Sequence, residues 1–197
     1  NIFLYTFSQI DIWMVSALSE KNIVAQYSVG QRIALLASVP ASVVNLSLMP
    51  DFSRWLAKSE NEKIQKALRM SSLLGGIPAL LIVVIIFFGG KFLIQFAFGL
   101  NYADSAQIAL ILSIGQAFHY LSGSQGVLLL MAGKQRSLMN AVFFSTCVSI
   151  ALQIGFFHLY GPSGIAFGSS IGLVVQTLYF LRVSSRDLGV SLIWKRS

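Results

Sequence analysis

Long apolar stretches, separated by short polar turns, dominate this chain. The clearest stretch runs from residue 70 to residue 90 and contains no charged side chain. As a helix it is about 30 Å long, which matches the hydrocarbon core of a bilayer. Five further stretches have comparable length, although Asp11 interrupts the first. The pattern predicts an all-α membrane protein with six spans, at approximately 2–18, 23–49, 70–98, 105–132, 137–160 and 164–181.

Prolines, glycines and polar residues predict where these helices bend or end. Pro40 predicts a kink in the second segment, and Pro50 predicts its end. The motif Ser-Gly-Ser-Gln-Gly at 122–126 is expected to loosen the fourth helix. The polar connection 51–69 has an apolar side, so we expect it to lie on the membrane surface. That apolar side consists of Trp55, Leu56, Ile64 and Leu68.

The composition supports the same class of protein. The chain is 55% hydrophobic and 11% charged, whereas an average soluble domain has about 25% charged residues. Its single cysteine, Cys147, excludes an intrachain disulfide. Asn1 begins inside an apolar segment with no signal peptide before it. We therefore expect the chain to be the C-terminal part, residues 1–197, of a longer transporter.

Basic residues are concentrated in alternate connections between the predicted spans. The net charge of +7 would suit a nucleic-acid partner, but the basic residues cluster at helix ends, where membrane topology explains them. The connections after the second, fourth and sixth segments are rich in Lys and Arg, so both chain ends are expected in the cytoplasm. These connections hold Arg54, Lys58, Lys63, Lys66, Arg69, Lys134, Arg136, Arg182, Arg186, Lys195 and Arg196, against Lys21 and Lys91 on the other side.

Asp11 and Arg32 are ionisable groups inside the predicted spans, where an unpaired charge costs several kcal/mol. They are nearly symmetric about the turn at residues 19–22, so a helical hairpin would bring both to one depth. Two interpretations stay open: a polar spot on a cavity wall that handles an anion or a proton, and a structural ion pair. Arg32 alone favours a functional role because a guanidinium suits phosphate recognition.

His119 is the third ionisable residue in the predicted spans, and Gln116 and Tyr120 lie beside it. It suits either a proton-linked step or a histidine that is hydrogen-bonded between helices. Further polar positions would serve an aqueous lumen or interhelical hydrogen bonds: Gln9, Asn45, Gln125, Gln153 and Gln176. Small residues expected to allow close helix packing are Gly30, Gly115, Gly123, Gly155, Gly168 and Gly172.

The chain shows no catalytic constellation in its sequence. Carboxylates do not occur in pairs at a working spacing, and Cys147 and the histidines lie far apart. GGIPA and GPSG lack the Lys and the strand–helix context of a phosphate-binding loop. The sequence therefore predicts no enzyme activity, no cofactor and no metal.

Several short motifs resemble one family of bacterial membrane proteins. The motifs are Asp11-Ile-Trp-Met-Val, Val24-Ala-Gln-Tyr-Ser-Val-Gly-Gln-Arg-Ile, Met49-Pro50-Asp-Phe-Ser, Phe98-Gly99-Leu-Asn-Tyr102-Ala-Asp, Met131-Ala-Gly133-Lys134-Gln-Arg136 and Tyr160-Gly161-Pro-Ser-Gly164-Ile-Ala166. In this order and spacing they resemble the second half of the Wzx-like O-antigen flippases. These belong to the MOP superfamily, which also contains the MATE drug exporters and the lipid II flippases.

The resemblance implies a transporter of twelve spans, built from two six-helix bundles around a central cavity. This chain would be the second bundle, in a bacterial inner membrane, with the N-terminal half of the same transporter as its partner. The implied substrate is an undecaprenyl-pyrophosphate-linked oligosaccharide, moved from the inner to the outer leaflet. Family flippases line the cavity with cationic residues, which makes Arg32 the candidate here, together with Asp11, His119 and Gln116.

Two other functions compete with a flippase. A drug or cation antiporter of the same superfamily should have an acidic, aromatic pocket, whereas the intramembrane excess of charge here is neutral to cationic. A membrane-embedded glycan polymerase or ligase should carry a large outer loop with catalytic Arg or His, whereas the outer connections here are short. A purely structural membrane subunit is a third alternative.

Overall fold

The computed structural model describes residues 9–189, which form helices joined by short turns. Residues 2–8 of the first predicted span lie outside the described residues, as do Lys195 and Arg196. No strand occurs in the described range. The helices are α1 (Ile10–Leu18), α2 (Lys21–Leu35), α3 (Ser38–Ala57), α4 (Asn61–Phe98), α5 (Ser105–Leu121), α6 (Gln125–Met131), α7 (Gln135–Tyr160) and α8 (Pro162–Leu188), with a 3₁₀ turn at Leu100–Tyr102.

Within residues 9–189, three helices are long and apolar enough to cross a membrane, namely α4, α7 and α8. The pair α2 and α3 adds a fourth span if it is counted as one helix with a bend of 46°. The described part of α1 has nine residues and α5 has 17, so each is shorter than a full span. The chain is thus an all-helical multi-pass membrane protein, and its division into six spans stays a prediction.

The bend between α2 and α3 confirms the kink predicted from Pro40. The break falls at Leu36 and Ala37, and Leu36 is the residue whose carbonyl the missing N–H of Pro40 would have bonded. Pro50, however, does not end the helix, because α3 continues to Ala57. Membrane helices tolerate proline, and the turn that follows is held by the fully buried Phe52.

The connection 51–69 is a helical hairpin, formed by the end of α3 and the first turns of α4. Ile64 and Leu68 are fully buried and pack with Phe52 and Leu128. The expectation that this apolar side lies on the membrane surface is therefore wrong. A hydrophobic cluster inside the protein buries it instead, with Trp55 and Leu56 packed at its margin.

The predicted weakness at 122–126 is a true break between α5 and α6. Gly123 has a φ of +76°, which glycine adopts more readily than other residues. A Cβ at this position would lie 2.6 Å from the Leu68 carbonyl oxygen. The backbone N–H of Ser124 donates to Ser71 Oγ at 3.0 Å. The break is thus fixed by contacts with α4.

The tightest helix pair is α7 with α8, where glycines let the backbones approach. A Cβ at Gly168 would lie 2.6 Å from the Gln153 backbone nitrogen, and one at Gly172 would lie 2.5 Å from Ser149 Cβ. Gly155 meets no atom within 4 Å, so its predicted role in close packing is wrong for the described residues. Close packing is confirmed at Gly30, Gly115, Gly123, Gly168 and Gly172.

The basic residues predicted to share one side do gather at one end of the bundle. Hydrophobic clusters join the ends of α3, α6 and α8 to the beginnings of α4 and α7. We name this region the basic end. At the opposite end, Gln26 Nε2 donates to the Asn101 carbonyl oxygen at 2.8 Å. The described cations at the basic end are Arg54, Lys58, Lys63, Lys66, Arg69, Lys134, Arg136, Arg182 and Arg186.

Candidate functional site

A cavity of about 320 Å³ lies between α1, α2, α5, α7 and α8. We name it the central cavity. More than half of its lining residues are polar, and Asp11 is the only charged one among the described residues. The polar lining consists of Asp11, Gln31, Gln116, Ser145, Thr146, Ser149, Ser169, Ser170 and Gln176.

Asp11 is bound to Gln153, which is fully buried on α7. Gln153 Nε2 donates to Asp11 Oδ1 at 2.8 Å, and a carboxylate can only accept, so the amide nitrogen must face it. The same nitrogen lies 2.9 Å from Ser149 Oγ and 3.1 Å from Ser169 Oγ. This network joins α1, α7 and α8 at the wall of the central cavity. Gln153 therefore serves the interhelical role that was one of its two predicted alternatives.

Arg32 does not pair with Asp11, so the structural ion pair is not formed. The ion pairs within residues 9–189 include neither residue. The physical reason is the rotation of α2, which directs Gln31 and Ala34 toward the central cavity and leaves Arg32 exposed. Equal depth in a hairpin is therefore not enough to bring two side chains together, because each must also lie on the facing side of its helix.

Gln116 and His119 line different cavities. Gln116 lines the central cavity, whereas His119 lines a second cavity of about 230 Å³ nearer the basic end. His119 Nδ1 lies 2.7 Å from Thr177 Oγ1, and the Thr177 hydroxyl donates to the Leu173 carbonyl oxygen at 2.8 Å. Since that hydroxyl has one hydrogen, Thr177 accepts from Nδ1–H. His119 is thus hydrogen-bonded between helices, as one of its two interpretations expected.

Much of the cavity wall was not singled out from the sequence. The small polar residues Ser145, Thr146 and Ser149 lie on one face of α7, and Ser169 lies on α8. Ser145 and Thr146 precede Ser149 by four and three positions, which is the helical period, and this spacing was the signal that could have found the three residues on α7. No group of three or more His, Cys, Asp or Glu side chains that could hold a metal occurs within residues 9–189.

These features define a class: a multi-pass helical membrane protein with a polar cavity inside its bundle. The MatE family model matches residues 1–155, and the chain belongs to this family. Its members are membrane transporters, which agrees with the prediction that the chain is not an enzyme. Comparison with curated proteins and with solved structures gives no match.

Proposed function

We propose that the chain is the C-terminal bundle of a flippase for undecaprenyl-pyrophosphate-linked oligosaccharides in a bacterial inner membrane. The motifs that resemble those of the Wzx-like flippases support this choice within the wider family. The basic end would face the cytoplasm, since Lys and Arg favour that side. The N-terminal half of the same transporter would supply the other wall of the transport route.

The observation that carries the proposal is the exposure of Arg32 deep in the predicted membrane. Arg32 follows the first residue of α2, Lys21, by eleven positions, which is about 16 Å along the helix. Its side chain is exposed and has no ion-pair partner within residues 9–189. A guanidinium facing hydrocarbon at this depth costs about 2.5–3.5 kcal/mol on insertion scales. This face therefore suits a water-filled route better than lipid.

The charge of Arg32 matches the pyrophosphate of the proposed substrate. Its planar fork can bind two phosphate oxygens at once, which a lysine cannot reproduce. Gln31, the neighbouring residue, lines the central cavity. The pyrophosphate would lie at Arg32 on the neighbouring face of α2, while the attached sugar reaches the cavity wall. Hydroxyls and amides dominate the polar lining, and aromatic side chains do not contribute to it in the described residues, which suits a glycan better than a lipophilic drug.

Complementation of a flippase-null strain with the full-length protein tests the proposal. We expect Arg32→Ala to abolish glycan export while the protein still accumulates in the membrane, and Arg32→Lys to keep partial export through its charge. Arg182→Ala is the matched control, since Arg182 is exposed at the basic end, away from both cavities. Full export by a well-expressed Arg32→Ala protein would contradict the proposed role.

A drug or cation antiporter is the second candidate, and Asp11 is the observation that favours it. Asp11 is the one acidic residue in the described cavity lining, and the hydroxyls of Ser149 and Ser169 lie around the same amide of Gln153. Carboxylate and hydroxyl oxygens are suitable ligands for a small hard cation. Under this alternative, Asp11→Asn should abolish resistance to cationic drugs, and Arg32→Ala should leave that resistance intact.

A further inference from the structure

Three serine hydroxyls of the central cavity have already used their hydrogens within the protein. Ser169 Oγ donates to the Ile165 carbonyl oxygen at 2.9 Å, and Ser170 Oγ donates to the Ile111 carbonyl oxygen at 2.8 Å. Ser149 Oγ likewise donates to a backbone carbonyl, at 3.2 Å. A hydroxyl has one hydrogen and two lone pairs. Toward the cavity, these three serines therefore present acceptors only.

Two amides of the cavity lining make no side-chain hydrogen bond in the described part of the chain, and a third, Gln176, only accepts one from Ser145 Oγ at 3.4 Å. Gln31 on α2 and Gln116 on α5 line the central cavity and are partly buried. Neither makes a side-chain hydrogen bond to another residue within 9–189, in contrast to Gln153. Each amide offers two donor hydrogens and one acceptor oxygen. Adjacent sugar hydroxyls can satisfy both functions of such an amide at once.

Asp11 adds a negative charge and further acceptor sites to the same wall. With the serines it makes the cavity richer in acceptors than in donors. A ligand with many O–H or N–H groups can satisfy these acceptors. A carboxylate on the ligand would add acceptors only and would lie near the charge of Asp11, and like charges at close range cost several kcal/mol.

We propose that the central cavity holds an uncharged, hydroxyl-rich sugar residue of the translocated glycan and excludes acidic sugars. Asp11 is the excluding charge, and Gln31 and Gln116 are the specificity-determining amides. This inference rests on the proposed flippase function and divides the substrate between two sites, with the pyrophosphate at Arg32 and the sugar in the cavity. Unpaired polar groups in a binding site are an effective means of rejecting the wrong ligand.

The test uses the full-length protein in vesicles, with two probes that differ at one sugar. One probe is an undecaprenyl-pyrophosphate-linked oligosaccharide with a terminal hexose, and the other carries the corresponding uronic acid. The fraction of glycan reached by impermeant periodate reports translocation. We expect the wild-type protein to move the neutral probe at least about tenfold faster, and Asp11→Asn to reduce that ratio by about tenfold. Asp104→Asn, at an exposed turn, is the matched control.

A second variant, Gln116→Leu, tests sugar binding in the cavity independently if Asp11→Asn does not fold. Gln116→Leu should slow the neutral probe by about tenfold, because sugar hydroxyls lose their partner, whereas Gln107→Leu on the exposed face of α5 should not. Equal transport of both probes by the wild type, or an unchanged ratio in a folded Asp11→Asn protein, would overturn the sugar selectivity alone. Transport of neither probe would show that the flippase function itself is wrong.

Discussion

The hydrogen bond between Asp11 and Gln153 leads to a quantitative prediction, namely that Gln153 and not Arg32 stabilises the Asp11 carboxylate. We consider the replacements Asp11→Leu and Gln153→Leu, singly and together, because leucine has a similar size and no hydrogen-bonding group. The donor nitrogen lies 2.8 Å from the carboxylate oxygen, which is a charge-assisted geometry. Hydrogen bonds to charged groups contribute about 1.5–3 kcal/mol.

We expect a coupling free energy near the lower end of that range. Asp11 lines the central cavity, so water can replace part of the lost bond when Gln153 is removed. The matched comparison is Asp11→Leu with Arg32→Met, which keeps the arginine stem and removes its charge. Since these two residues form no ion pair, their effects should add within about 0.5 kcal/mol.

The assay is reversible unfolding of the purified full-length protein by sodium dodecyl sulfate in mixed micelles, followed by circular dichroism. Four proteins complete each double-mutant cycle, and the free energies of unfolding give the coupling. A coupling of 1.5 kcal/mol or more between Asp11 and Arg32, with none between Asp11 and Gln153, would refute the reasoning. Such a result would instead support an ion pair between Asp11 and Arg32, which the hairpin symmetry suggested.

Two further predictions concern helix packing and topology. Gly168→Ala should destabilise the protein by about 1–3 kcal/mol, because its Cβ would meet the backbone of α7. Gly155→Ala, where the Cβ would enter open space, should stabilise the protein by up to about 1 kcal/mol. Thermal unfolding in detergent would compare the two variants, and equal effects would contradict the tight α7–α8 contact. In a Cys147→Ser background, a cysteine at Ser59 should be shielded from impermeant thiol reagents in intact cells, while one at Asn101 should be labelled. Labelling at Ser59 would show that the orientation is the opposite of the predicted one.

The sequence alone determined the class of the protein and much of its helix pattern. Hydropathy is a local property, so the uncharged stretch 70–90 identified a membrane helix without knowledge of its neighbours. Proline and glycine also act locally, which is why Pro40 predicted the bend at Leu36 and the motif at 122–126 predicted the break after α5. The prediction that Pro50 ends the helix failed, because burial of the next turn outweighed the local effect of the proline.

Only the tertiary structure decided which polar side chains meet. A helix directs each residue to one side, and a difference of one position rotates the side chain by about 100°. Gln31 therefore lines the central cavity, whereas Arg32 is exposed, a distinction that depth in the membrane could not reveal. Asp11 hydrogen-bonds to Gln153, which lies 142 positions away on α7, the helix that the glycines of α8 approach closely. Such long-range contacts depend on how whole helices are rotated and packed, and the local pattern of residues does not specify that.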